Sequence, residues 1–66
     1  MSRQFSTQTR IGQQMAALGW TATEFATATG IHPRTLTELL SGRVDPTVNQ
    51  IIVIADTLGV RDTDII

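Results

Sequence analysis

The 66-residue chain has no cysteine and no lysine, and its longest unbroken apolar run, Ile51 to Ala55, is short. Without cysteine there is neither a disulfide framework nor a thiolate metal site, so packing alone must hold so small a chain together. The same absence fits a reducing compartment. A run of that length is far too short to cross a bilayer. Residues 1 to 10 are polar and rich in threonine, without the apolar stretch of a secretory leader. These gaps point to a soluble, cytoplasmic protein with no membrane partner. A chain of this size buries only about 60% of the surface that its unfolded form exposes. Residues 1–66 therefore read as one domain with one thin core.

An excess of positive charge is also missing. The formal net charge is −1, which speaks against a nucleic-acid partner, because such domains usually carry a basic excess. The total hides an asymmetry. Residues 1–44 hold Arg3, Arg10, Arg34 and Arg43 against Glu24 and Glu38, for +2; residues 45–66 hold Arg61 against Asp45, Asp56, Asp62 and Asp64, for −3. Every basic residue is arginine, whose fork suits phosphates and guanine edges as lysine's point charge does not. A GC-rich coding bias is the simpler explanation of the missing lysine.

Chemistry-bearing clusters are absent as well. His32 is the only histidine, and without Cys, Asp or Glu at ligand spacing it makes no metal site. Without a nearby Ser or Cys nucleophile it makes no triad. No glycine-rich phosphate loop occurs, and no carboxylate pair suits acid–base work. The expectation is no enzyme, no cofactor and no small-molecule ligand.

What the chain does have is helix punctuation. Ile11, Met15 and Leu18 share one helical face and predict a first helix from about Thr7 to Leu18, closed by Gly19 and preceded by a flexible arm, Met1 to Ser6. Thr21-Ala22-Thr23-Glu24 is a capping box that opens a short helix, Ala22 to Thr29, burying Phe25 and Ala26 and stopping at Gly30. His32 falls at the next N-cap and Pro33 at the first helical position, where its missing N–H costs nothing. Leu36, Leu39 and Leu40 form that helix's inner face, and Ser41-Gly42 ends it. Thr47 to Gln50 is a second capping box, opening a helix that carries Val48, Ile51, Ile52, Ala55 and Leu58 at helical spacing and ends at Gly59. Arg61 to Ile66 reads as a fifth helix only just begun, capped by Asp62, as though the domain were the amino-terminal part of a longer protein. The fold class is all-α: a compact bundle of four to five short helices.

Two of these helices are joined by the tight turn Thr29-Gly30-Ile31-His32, which is what a helix-turn-helix needs. Glycine accepts the left-handed conformation that sends one helix across the other, and Ile31 tucks under the crossing. Pro33, Arg34, Thr37 and Glu38 then lie on the outer face of the third helix, available to a major groove. Arg34 can donate two bonds to guanine O6 and N7, or pair weakly with Glu38 one turn on. Glu38 can accept from a cytosine N4 or exclude wrong sites. Thr35 and Thr37 suit phosphates or thymine methyls, Arg43 a phosphate, and Arg3 and Arg10 an arm and anchor along the duplex. His32 serves as a cap or faces a phosphate. Trp20 packs the corner between the first two helices, and the acidic stretch Asp56 to Asp64 is a solvated face turned away from DNA.

Ile11-Gly12, Gly19-Trp20-Thr21, Glu24-Phe25-Ala26, Gly30-Ile31, Leu36-Thr37-Glu38-Leu39, Ser41-Gly42, Pro46-Thr47, Ile54-Ala55 and Leu58-Gly59-Val60 follow one another at the spacings of a known pattern. Over roughly residues 9 to 66 the chain resembles the Cro and repressor helix-turn-helix (XRE-like, lambda-repressor-like) family of phages and bacteria. The resemblance implies base reading at Pro33, Arg34, Thr37 and Glu38, and phosphate contacts at Thr21, Ala22, Ser41 and Arg43. The chain departs from the pattern in three places. Ala22 stands where many members have a bracing Gln, and Pro33 where many have a hydrogen-bonding side chain. Met15 and Leu40 stand where some members pair Arg with Glu; an apolar pair there is often neutral or stabilising, since a buried ion pair loses much of its Coulomb gain to desolvation.

The expected function is a transcriptional regulator or repressor that binds a double-stranded DNA operator as a homodimer. One recognition helix covers few base pairs, and two copies on half-sites a helical turn apart repair the affinity. Ile52, Val53, Ile65 and Ile66 are the expected dimer contacts. The rival is a protein-interaction module of the same fold, antirepressor- or antitoxin-like, with a protein partner and no specific DNA binding. Its support is the acidic balance, Ala22, Pro33 and the surplus apolar surface.

Overall fold

The computed structural model describes residues 9–66. The described residues form four α-helices, α1 (Arg10–Leu18), α2 (Ala22–Thr29), α3 (Pro33–Ser41) and α4 (Val48–Leu58), followed by one 3-10 turn, Asp62–Asp64, with no strand among them. The predicted arm, with Arg3, lies outside the described residues.

Each helix starts where a side chain satisfies orphan backbone donors. The first helix begins at Arg10, later than Thr7, because Thr9 is its cap. The Thr9 hydroxyl accepts from the Gly12 N–H at 3.2 Å and donates to the Leu40 carbonyl at 3.1 Å, which ties α1 to the end of α3. The box of α2 closes as expected, with the Glu24 N–H on Thr21 Oγ1 at 3.1 Å and the Thr21 N–H on Glu24 Oε1 at 3.3 Å. The box of α4 is its neutral counterpart: the Thr47 N–H donates to Gln50 Oε1 at 2.8 Å and the Gln50 N–H to Thr47 Oγ1 at 3.1 Å. In α3 the cap is the His32 imidazole, whose Nδ1 accepts from the Arg34 N–H at 3.1 Å.

The carboxyl ends are not all alike. In α1, α3 and α4 a backbone N–H reaches back five residues, from Trp20 to Met15, Arg43 to Glu38 and Val60 to Ala55, the bond of a Schellman cap. The end of α2 has only the shorter bond, Gly30 N–H to the Ala26 carbonyl at 2.9 Å, with Gly30 at φ +74°. Thr29 completes this turn: its hydroxyl donates to the Phe25 carbonyl at 2.8 Å and accepts from the Ile31 N–H at 3.3 Å. The chain is thereby released early and sent across α2. The expected fifth helix is only the 3-10 turn, and Asp62 does not cap it; the Asp64 carboxylate accepts from the Arg61 N–H at 3.1 Å instead.

One core joins all of these elements. Ile11 and Met15 of α1, Phe25 and Ala26 of α2, Leu36, Leu39 and Leu40 of α3, and Ile54, Ala55 and Leu58 of α4 are buried together with Ile65. Trp20, Ile31, Ile51 and Val60 are half-buried against them. Trp20 meets Phe25 edge-on, with ring centroids 5.2 Å apart, so it does pack the corner between α1 and α2. Met15 and Leu40 are both fully enclosed, as an apolar replacement of an ion pair requires. The radius of gyration, 10.4 Å, is what a fully collapsed chain of this length gives, about 10–11 Å, so the thin core still closes the fold.

Three expectations about the core change. Leu18 is exposed, on the rim of α1. In α4 the inward arc is turned: Val48 and Ile52 point to solvent, while Ile54, passed over in the spacing argument, is fully buried. Ile65 is buried against the core and not on a docking surface, because the 3-10 turn folds back onto α4; of the carboxyl-terminal isoleucines only Ile66 is exposed.

Candidate nucleic-acid interface

The two faces of α3 separate cleanly. Leu36, Leu39 and Leu40 are buried, which turns the stripe Arg34, Thr37, Glu38 and Ser41, spaced i, i+3, i+4 and i+7, away from the core. Arg34, Thr37 and Pro33 are exposed, while Glu38, Ser41 and Thr35 are half-buried. Four of the expected residues thus fall on one stripe, with Pro33 at its start and Thr35 at its margin.

Hydrogen bonding divides these side chains further. The Thr37 hydroxyl donates to the Pro33 carbonyl at 2.9 Å and the Ser41 hydroxyl to the Glu38 carbonyl at 3.0 Å. Both hydroxyl protons are turned back onto the helix, leaving the oxygens as acceptors and the Thr37 methyl as an apolar contact. The donor placed to reach beyond this surface is the Arg34 guanidinium. His32 is exposed at the amino end, and because its Nδ1 accepts, the proton of the neutral ring sits on Nε2. Gly42 ends α3, and Arg43 follows it, exposed in the loop. Arg10 is exposed in the first turn of α1.

The amino end of α2 is arranged differently. The Thr21 hydroxyl accepts from the Glu24 N–H and donates to Glu24 Oε1 at 2.9 Å. Both of its functions are satisfied within the chain, and a carboxylate is held over the helix end that a phosphate would otherwise approach. Ala22, the next residue, is half-buried and has no polar group to offer. Between α2 and α3 lies a shallow hollow of about 320 Å³, floored by Ala26 and Ile31 and edged by Thr23, Thr27, His32 and Pro33. Thr23 and Thr27 were not singled out in the sequence, where threonine is too common to signal anything. Their spacing of four, opposite the buried Phe25, is the one clue that places them on this side.

A short helix crossing a second one, with a polar outer stripe on an apolar base, defines a helix-turn-helix module. A family model described as Helix-turn-helix matches residues 11–65, and the chain belongs to that family, in its Cro- and repressor-like, XRE-like form. It is a family of DNA-binding regulatory domains and not of enzymes. No curated protein and no solved structure matches the chain. No helix among the described residues is long and apolar enough to cross a membrane.

Proposed function

We propose that this domain is a sequence-specific, cytoplasmic transcriptional repressor of the phage or bacterial kind, laying α3 in the major groove of an operator half-site. The observation that carries this reading is the outward stripe of α3, with an exposed Arg34 over a leucine base. In this reading Arg34 reads a guanine, Pro33 and the Thr37 methyl meet thymine methyls, and Glu38 rejects sites that place an acceptor opposite it. Arg43, Arg10 and the His32 Nε2–H face phosphates, and Arg3 follows the duplex. Ser41 and Thr35 contribute at the edge of the contact. A domain with so little positive charge gains little from counterion release, which favours two copies on adjacent half-sites over one.

The test is fluorescence anisotropy on a duplex selected from a random pool, across a salt series. Arg34→Ala is expected to lose about 1–3 kcal/mol of discrimination at one base pair of each half-site. Unchanged base preference in that variant would remove the reading role, and a monomer on selected DNA would remove the dimer. A second reading, an interaction module of the antirepressor or antitoxin-like type, draws on the acidic balance and on the exposure of Val48 and Ile52. It would be favoured by an absence of any salt-dependent DNA binding.

A further inference from the structure

At the carboxyl end of α3 the chain surrounds an open, mainly apolar groove of about 360 Å³. Its apolar wall includes Val44 and Pro46 of the loop, Ile51 of α4 and Ile66, and two charged residues of opposite sign, Arg10 and Asp45, also line it. Ile66 is 70% exposed and Val44 40%. A hollow and a protruding isoleucine therefore occupy the same face of the domain.

We propose that this groove is the seam of the homodimer, with the Ile66 side chain of each copy seated in the groove of the other. The proposal rests on the operator-reading function above and names the surface through which its two copies meet. It departs from the face read from sequence, because Ile65 is spent in the core and neither Ile52 nor Val53 lines the groove. Two features select a second copy of this chain as the occupant. In a two-fold pairing the same patch serves both partners, so a knob and a hole on one face complete each other twice. The two charges of the groove also complement themselves: the two-fold sets Arg10 against the partner's Asp45, and Asp45 against the partner's Arg10. A strongly basic or acidic partner would meet one of these charges with its own sign, whereas a second copy matches both.

The position has a consequence for DNA. Arg43 lies between Gly42 and Val44, both of which line the groove, so pairing would steady the loop that carries a phosphate contact. The patch is small beside the roughly 800 Å² per partner of a standard interface. Pairing is accordingly weak in free solution and strengthened on adjacent half-sites.

Sedimentation equilibrium without DNA, up to millimolar protein, tests the seam on the wild type, Arg10→Asp, Asp45→Arg and the double swap. All of these changes are at exposed positions, and circular dichroism checks that the helices persist. Each single reversal is expected to weaken the dimer about tenfold or more, since symmetry counts the repulsion twice, and the swap should restore it to within about threefold. Ile66→Ser should weaken it as well. Singles that leave association unchanged, a swap no better than its singles, or a wild type that is monomeric throughout would overturn the proposal. Arg34→Ala, which touches no part of the groove, separates the two readings. Its effect on base preference bears on DNA recognition alone, while charge rescue without DNA bears on the seam alone.

Discussion

The amino ends of α2 and α3 lie on either side of one turn, yet they are finished in opposite ways. The end of α2 is closed by its own acid: Glu24 bonds both the Thr21 N–H and the Thr21 hydroxyl. The end of α3 is closed by a neutral imidazole and a proline, and no acidic residue stands in its first turn. Both solutions satisfy orphan N–H groups, and both stabilise a helix too short to persist alone. They differ in what they leave for a polyanion. The partial positive charge at a helix start is neutralised in α2 and left uncovered in α3. Capping chemistry here also decides which helix end can face a duplex.

The joint between these two ends offers the largest expected effect. Gly30 holds φ +74°, and a Cβ built there would touch nothing within 4 Å. Any cost of Gly30→Ala is then conformational, about 1–2 kcal/mol for a left-handed L-residue, seen as a urea midpoint shift at constant m-value. A loss well under that would mean that the turn can reshape and that the angle between α2 and α3 is not fixed by this residue.

Next come the caps themselves. Thr21→Ala and His32→Ala each remove a side-chain acceptor and should each cost about 1 kcal/mol in thermal or urea unfolding. Their effects on DNA should diverge. Thr21→Ala leaves operator affinity nearly unchanged once stability is allowed for, because its hydroxyl is already engaged. His32→Ala lowers it, and His32→Asn, which keeps a cap acceptor, recovers the stability while leaving the affinity low. Equal losses of affinity in the two alanine variants would erase the contrast between the ends.

These caps are also why so much of the fold could be read from the chain. The bounds of α2, α3 and α4 follow from local chemistry, in which a Thr, His or Gly acts on residues two to five positions away. Where a boundary depended on tertiary contact it was misplaced. Thr9 opens α1 because its hydroxyl also reaches Leu40, 31 residues on. In α4 nearly every position from Val48 to Ala55 is apolar, so several arcs fit a helical period, and only packing against α1 and α2 chooses the one centred on Ile54 and Leu58. The burial of Ile65 likewise needed the fold-back of the 3-10 turn. At the candidate interface the stripe of α3 was legible from the leucine spacing alone. The inward-turned hydroxyls of Thr37 and Ser41 and the double engagement of Thr21 were not, since a hydroxyl's bonding partner is a matter of rotamer.

The smallest change tests the contrast most directly. Glu24→Gln removes the charge at the start of α2 while keeping an amide oxygen where the carboxylate accepts; Gln50 already does this for Thr47 in α4, at 2.8 Å. The capping box should survive, with a stability loss of about 0.3–1 kcal/mol from the weaker interaction with the helix dipole. A phosphate within about 8 Å of that position, the screening length at physiological salt, would then feel one repulsion fewer. Operator affinity is expected to rise about two- to fivefold, more at low salt, with base preference unaltered because backbone contacts carry no sequence information. Anisotropy titrations of the variant and wild type at two salt concentrations measure this. Equal affinities at low salt would mean that no phosphate comes near the amino end of α2, and the difference between the two ends would be one of helix stability alone.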